Sequence, residues 1–316
     1  MPYAIETKEL RKSYNGIGVV QGMDLRVEQG ELFALLGPNG AGKTTTIHML
    51  STLVKPDGGF ACVAGYDVVS NARHVRRKIS LTGQFAALDE GISGLQNLML
   101  ISRLYGYSAK SARSVSEELI ESFGLSEAKD RAVLHYSGGM RRRLDIAASI
   151  VTKPDVIFLD EPTTGLDPQS RIQVWEVVRS LLKRGTTVLL TTQYLEEADQ
   201  LADRIAVMDK GSLIAEGTPR QLKASVGNRT LTIQFNEPAD QHKLGTLLNE
   251  EHALTLLQDD HPLVHKIPVK DASAANQALH SLMKNGFAIE YFALSEPSLD
   301  EVFLSLTRAK SKGGTP

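Results

Sequence analysis

Over the first two-thirds of the chain, short apolar runs alternate with longer stretches whose apolar positions recur at helical spacing. Leu32–Leu36 is an uninterrupted apolar run ending in a glycine-rich turn, and Thr44–Leu53 follows with a helical pattern. Val156–Leu159 is again continuously apolar, as a strand buried on both faces requires. Thr186–Thr191 and Ile205–Met208 repeat that pattern, and Gln169–Lys183 reads as a helix between Val156–Leu159 and Thr186–Thr191. Such alternation predicts an α/β domain with a mostly parallel sheet under helices. Ser93–Leu134 reads as almost wholly helical and forms an insertion.

The texture changes after Gly217-Thr218-Pro219 and a short helical pattern that ends at Gly227-Asn228. Thr230–Phe235, Ala253–Leu257, Leu263–Val269 and Ala288–Leu294 read as strands. Asp240–Glu251 and Ala272–Asn285 read as helices, with a last helix at Leu299–Leu306. That β-α-β-β-α-β order predicts a small α+β domain of the split βαβ, ferredoxin-like kind. The expected division is therefore a main domain at 1–226 with its helical insertion at 93–134, an accessory domain at 227–308, and a flexible tail at 309–316.

A chain of 316 residues suits this two-domain reading. With 42% hydrophobic and 23% charged residues, it has enough apolar material for a core without staples. Lysine plus arginine total 35 against 37 acidic residues, a net charge of −2, which argues against a chain whose main task is gripping nucleic acid. Cys62 is the only cysteine, so disulfide frameworks and multi-cysteine metal sites are excluded, and it reads as a small buried residue. No charge-free run approaches the ~20 residues of a spanning helix. Glu6 and Lys8 stand where a signal peptide would carry its apolar core. The expectation is a cytoplasmic chain that does not cross a membrane by itself.

The chemistry concentrates in two runs. Gly37-Pro38-Asn39-Gly40-Ala41-Gly42-Lys43-Thr44 satisfies G-x-x-x-x-G-K-[ST] between a predicted strand and a predicted helix. Glycines there let successive N–H groups turn toward a phosphate, and the helix adds its positive end. Lys43 would place a full charge on the β- and γ-phosphates, and Thr44 would offer a hydroxyl to Mg²⁺. Val156–Leu159 then delivers Asp160 and Glu161 at the end of a buried strand, where α/β sheets place ligands. Alternation along the strand would point the two carboxylates to opposite faces. Asp160 suits Mg²⁺, and Glu161 suits a general base acting on water.

Thr152-Lys153-Pro154-Asp155 matches a guanine-reading pattern of small GTPases, but it precedes the acidic strand instead of following one, so Lys153 reads as an exposed loop residue. His261 and His265, four apart across Pro262, read as loop and surface histidines, not as a metal pair.

The run Tyr136-Ser137-Gly138-Gly139-Met140-Arg141-Arg142-Arg143-Leu144 resembles the signature of the ATP-binding-cassette family, usually written Leu-Ser-Gly-Gly-Gln. Ser137 would also cap a helix, and Arg142 reads as part of a solvated helix face. Further landmarks follow that family's order. Gln84 matches its glutamine loop, Gly165-Leu166-Asp167 the loop that crosses to a partner cassette, and Tyr14 the aromatic that stacks on adenine. Gln84–Glu90, Tyr136–Ser149 and Ser298–Leu304 are similar to the daunorubicin/doxorubicin-resistance exporter branch.

The resemblance implies a P-loop NTPase cassette that hydrolyses ATP with Mg²⁺. ATP would contact Tyr14, the loop from Gly37 through Thr45, Ser137, Gly138, Gly139 and Asp167. Thr44, Gln84 and Asp160 would hold the metal. Glu161, Gln84, Gln193 and Lys43 would serve the reaction. Gln193 stands where most cassettes carry a switch histidine. The implied partners are a second cassette chain, as a homodimer, and an integral membrane permease, with the cassette peripheral on the inner face of the membrane. A soluble non-transport cassette ATPase, an importer ATPase and a catalytically silent clamp are the alternatives.

Overall fold

The computed structural model describes residues 3–83, 88–225, 229–252, 254–256 and 262–303. The chain forms two compact units, Met1–Thr218 and Pro219–Pro316.

The first unit opens with two long strands, β1 (Tyr3–Tyr14) and β2 (Ile17–Glu28), then β3 (Leu32–Leu36) and α1 (Lys43–Leu50). β4 (Gly58–Val63), β5 (Tyr66–Asp67), α2 (Ala72–Lys78) and β6 (Ile79–Thr82) come next. The insertion holds α3 (Gly94–Leu104) and α4 (Ala109–Ser122), and α5 (Gly138–Ser149) leads to β7 (Val156–Asp160). α6 (Pro168–Lys183), β8 (Thr187–Thr192), α7 (Leu195–Leu201), β9 (Arg204–Asp209) and β10 (Ser212–Gly217) complete the unit.

The main sheet has the order β10-β9-β3-β8-β7-β6. Its five inner and far strands run parallel, and only β10 is antiparallel. Every residue of β3, β7 and β8 is buried, which is why these segments are apolar or threonine apart from Asp160 at the end of β7. One face carries Phe33, Leu35, Phe158 and Leu189 into a core shared with Ile47 and Leu50 of α1. Each such side chain contributes about 1.5–3 kcal/mol by leaving water. A separate antiparallel sheet, β2-β1-β4-β5, joins this core through Ile5, Leu10, Val20 and Val27. None of these four strands is among the apolar runs that predict the main domain's parallel sheet. In β2 polar and apolar positions alternate, burying Met23, Leu25 and Val27 while Asp24, Arg26 and Glu28 face solvent.

Helix starts are set by short polar side chains. Ser93 and Gln96 form a capping box on α3, Ser137 caps α5, and Asp167 caps α6 ahead of Pro168. α5 approaches α6 very closely at Gly139, where a Cβ would lie 2.4 Å from the Ser170 hydroxyl oxygen. On α7, buried Glu197 accepts hydrogen bonds from the Thr163 hydroxyl (2.8 Å) and the Trp175 indole (3.1 Å). It thereby ties α7 to α6 and to the turn after β7. Burial pushes the Glu197 carboxyl above its ordinary value, with hydrogen bonds from Thr192, Thr163 and Trp175 opposing.

The second unit contains α8 (Pro219–Ser225), β11 (Arg229–Phe235), α9 (Gln241–His252), β12 (Val264–Val269), α10 (Ala272–Lys284) and β13 (Ile289–Ser295). β11 lies between β12 and β13 and is antiparallel to both, so β12-α10-β13 is the split βαβ unit. The strand expected at 253–257 differs. Residues 254–256 belong to no strand, and 253 and 257 lie outside the described residues. The Leu254 amide donates instead to Leu248 O (3.1 Å), closing the end of α9, while Leu254 and Leu256 pack on the core. Burial there is achieved by side chains alone, without strand pairing. His265 is likewise not a surface residue; it is buried on β12, 5.4 Å from the Phe235 ring. His261 lies outside the described residues.

Gly139→Ala should destabilise the first unit by about 1–3 kcal/mol through overpacking on Ser170, and Ser170→Gly should recover part of the loss in a urea titration. Glu197 binds its proton more tightly in the folded chain than in the unfolded one, where 4.5 is usual. The stability from that proton is complete below 4.5 and is lost as pH rises through the folded value. Glu197→Gln cannot lose a proton, so its unfolding free energy should fall less than the parent's across that window.

Candidate nucleotide site

The ends of β3, β7 and β8 place the two sequence runs together. β3 runs into the glycine loop, which is fastened to the end of β8 by the Gly37 amide donating to Thr192 O (3.2 Å). A Cβ on Gly37 would lie 2.3 Å from the Met208 carbonyl, and one on Gly42 would lie 2.5 Å from the Val19 carbonyl. Gly42 also has φ +106, a conformation closed to ordinary side chains, and it starts α1. The exposed N–H end of α1 therefore opens on this loop.

A cavity of about 230 Å³ is lined by Asn39, Gly40, Gly42, Lys43, Thr44, Thr45, Val19 and Glu161. Lys43 is buried, and its ammonium donates to the carbonyls of Gly37 (2.8 Å) and Pro38 (3.1 Å). It also pairs with Glu161 Oε1 at 3.3 Å, with both side chains more than 90% buried. The Thr44 hydroxyl donates to Asp160 Oδ1 at 3.2 Å. The two acids thus meet consecutive residues of one helix, and the expected opposite-face arrangement does not hold. The cause is Glu161, which leaves the strand with φ +47 and turns back toward the loop.

Thr191 holds this geometry. Its hydroxyl donates to Asp160 Oδ1 (2.5 Å), and both its hydroxyl and its carbonyl accept from the Glu161 amide at 3.1 Å. Thr164 adds a hydroxyl to Glu161 Oε2 at 3.2 Å. Neither threonine was singled out from sequence; the signal was a hydroxyl at the end of the strand neighbouring the acids.

Thr44 and Asp160 together present a hydroxyl and a carboxylate at hydrogen-bond distance, an all-oxygen set that suits Mg²⁺. Pro38 and Ala41 complete the loop, and Ala41 is buried. Among the described residues, Tyr14, Ser137, Gly138, Gly139, Asp167 and Gln193 do not line this cavity. Tyr14 ends β1 and is 44% exposed, with the Lys12 ammonium 5.4 Å from its ring centroid. Ser137 and Gly138 are exposed at the start of α5, with the Ser137 hydroxyl accepting from the Met140 amide (3.2 Å). Asp167 accepts from the Ser170 hydroxyl and amide, which hold its carboxyl below the usual range. Gln193 is half-buried in the bend after β8. Gln84 lies outside the described residues.

Arg142 requires a correction. It is not a solvated residue: its side chain is about nine-tenths buried and its guanidinium donates to three backbone carbonyls. The helical pattern hid this because both sides of α5 meet protein at that point.

Lys153 is exposed, at the N-terminal side of β7. A larger cavity of about 690 Å³ lies there, bordered by Lys153, Asp155, Arg184 and Thr187. It sits at the opposite ends of β7 and β8 from the phosphate loop, so its size does not make it the reaction site.

Residues 20–164 match the family model described as ABC transporter, and residues 217–307 match the C-terminal domain of DrrA1-3-like ATP-binding proteins. The chain is 54% identical to the daunorubicin/doxorubicin resistance ATP-binding protein DrrA of Streptomyces peucetius, covering 96% of this chain and 92% of that protein. It is 39% identical to the Nod factor export ATP-binding protein I of Burkholderia pseudomallei, covering 96% of both. Its fold is that of cbiO1 from Clostridium perfringens, with a TM-score of 0.66 at 23% identity, covering 79% of this chain and 96% of that one. With its phosphate loop facing an acidic strand end, the chain is an ATP-binding-cassette ATPase and belongs to the DrrA-like daunorubicin/doxorubicin-resistance branch of that family.

Proposed function

We propose that this chain is the energy-supplying subunit of an exporter, working with a separate integral membrane permease on drug-like or other amphipathic compounds. The carrying observation is the convergence of Lys43 and Thr44 on Glu161 and Asp160 at the ends of parallel strands. The names of relatives, drug resistance in one case and Nod factor export in another, favour outward transport over import or soluble work. No helix among the described residues is long and apolar enough to cross a membrane, so the pathway would lie in the partner. The subunit would sit peripherally on the cytoplasmic face.

In this reading the loop from Gly37 to Thr45 wraps the phosphates of ATP. Its amides and the N-terminal end of α1 meet their negative charge. Lys43 exchanges its carbonyl partners for phosphate oxygens, and Tyr14 stacks on the adenine. Mg²⁺ would be held by Thr44 and Asp160, with Gln84, and would neutralise charge on the phosphates. Glu161 accepts a proton from the attacking water, and Gln193 hydrogen-bonds the γ-phosphate. A second copy of the chain, placed head to tail, brings Ser137, Gly138, Gly139 and Asp167 to the same ATP. Binding would close the pair and hydrolysis would release it, moving the permease through its cycle. Nucleic acid plays no part.

Glu161→Gln should lower ATP turnover about 10²–10⁴-fold while leaving ATP binding intact, measured by phosphate release and nucleotide titration. Near-parental turnover would remove Glu161 from the reaction. Thr191→Val keeps the β-branched shape but loses the hydroxyl shared by Asp160 and the Glu161 amide. Its turnover should fall about 10–100-fold, the range for a misplaced catalytic group. For the transport role, the tagged chain should copurify from gently solubilised membranes with a multi-spanning protein in about one-to-one ratio. Recovery with ribosomes or DNA-repair proteins alone would replace the exporter reading by a soluble one.

A further inference from the structure

Arg142 sits five residues past Ser137, about 7.5 Å along α5. Its Nε donates to Pro162 O (2.9 Å), one Nη to Gly83 O (2.6 Å) and the other to Asp160 O (3.2 Å). Asp145, one turn further along α5, supplies a carboxylate at 3.4 Å, and both side chains are about nine-tenths buried. Two of the three carbonyls belong to the residues on either side of Glu161. The guanidinium therefore brackets the backbone of the residue that carries φ +47. A left-handed conformation at a non-glycine residue persists only where its surroundings over-determine it. Thr191 holds this turn from the β8 side, and Arg142 holds it from the α5 side. The third carbonyl, Gly83, follows β6 and immediately precedes Gln84 in sequence.

We propose that Arg142 is a positioning residue that couples the two ATP sites of the cassette dimer. The proposal rests on the head-to-tail reading given above, in which the first residues of α5 touch the ATP held by the partner. A displacement of α5 on meeting that ATP moves Arg142, and Arg142 moves the backbone around Glu161, which acts on the ATP of its own chain. Nucleotide in one site thus sets the geometry of catalysis in the other. The planar fork of arginine suits this task because one group reaches three carbonyls in fixed directions, which a lysine ammonium on a flexible stem does not reproduce. Burial draws the guanidinium below its ordinary range, while the charges of Asp145, Asp160 and Glu197 favour its protonated form.

The test uses the full chain carrying Arg142→Lys and, separately, Asp145→Asn, which keeps the fork and removes the carboxylate charge 3.4 Å from it. Thermal unfolding, nucleotide affinity by fluorescence titration, turnover and the Hill coefficient for ATP are measured on each. The expected result for Arg142→Lys is ATP affinity within about two-fold of the parent, turnover lower by about 10–100-fold, and a Hill coefficient reduced toward one. A smaller change in the same direction is expected for Asp145→Asn. A purely structural role would lower the melting temperature while leaving turnover and cooperativity of the folded protein alone. Folded Arg142→Lys with parental turnover and Hill coefficient would overturn the proposal. If Arg142→Lys does not fold, parental turnover and Hill coefficient in Asp145→Asn would overturn it equally.

The dimer reading is tested apart, by sedimentation of Glu161→Gln with and without ATP. Failure to associate would sink that reading, whereas association beside an unaffected Arg142→Lys would sink the coupling alone.

Discussion

The parallel registration of β3, β8 and β7 is the constraint from which the site follows. Leu36 pairs with Thr192 and Asp160 with Thr191, so three strand ends reach one edge of the sheet at the same level. The glycine loop, the acidic pair and the bend bearing Gln193 are then neighbours without any long-range design beyond strand pairing. A slip of one residue in β7 would send Asp160 away from Thr44. The complete burial of these strands is what forbids that slip, because every alternative register exposes or misplaces apolar side chains.

Within that frame the site holds groups that do little for stability. Lys43 and Glu161 form an ion pair removed from water, and such pairs seldom repay their desolvation in full. Glu161 adds a left-handed backbone, and Arg142 adds a buried cation. Together they describe an arrangement kept for geometry. The surrounding core supplies the stability, with Phe158, Leu189 and Phe33 on one face.

The legible and illegible parts of this arrangement divide along a physical line. Features encoded within a few consecutive residues could be read: the glycine loop, the apolar run into Asp160, and the serine that caps α5. Features created by two distant segments meeting could not. Arg142 looks like any polar residue on a helix until Gly83 and Pro162 arrive on its other side. The antiparallel sheet of β2, β1, β4 and β5 was hidden because bulges in the pairing of β1 with β2 and β4 break the two-residue period along β1, although β2 alternates cleanly from Met23 onward. Residues 253–257 read as a strand by composition, yet Leu254 and Leu256 satisfy the same hydrophobic demand from the end of a helix. Composition reports what must be buried, and only the pairing partner decides how.

Gln193 bears on how far the acid can act alone. An amide donates and accepts hydrogen bonds but does not exchange a proton near neutral pH. Under the proposed reading, proton removal from water therefore rests on Glu161, and residue 193 only orients. Glu161 already has both oxygens engaged, one by Lys43 and one by Thr164. In that reading, Oε1 of Glu161 would be freed of its ion pair when Lys43 turns to another anion. Phosphate entering the loop would supply that anion and release Oε1 as the substrate arrives. On the proposed reading, the same contact that keeps a buried carboxylate paired would thus delay its reactivity until there is something to hydrolyse.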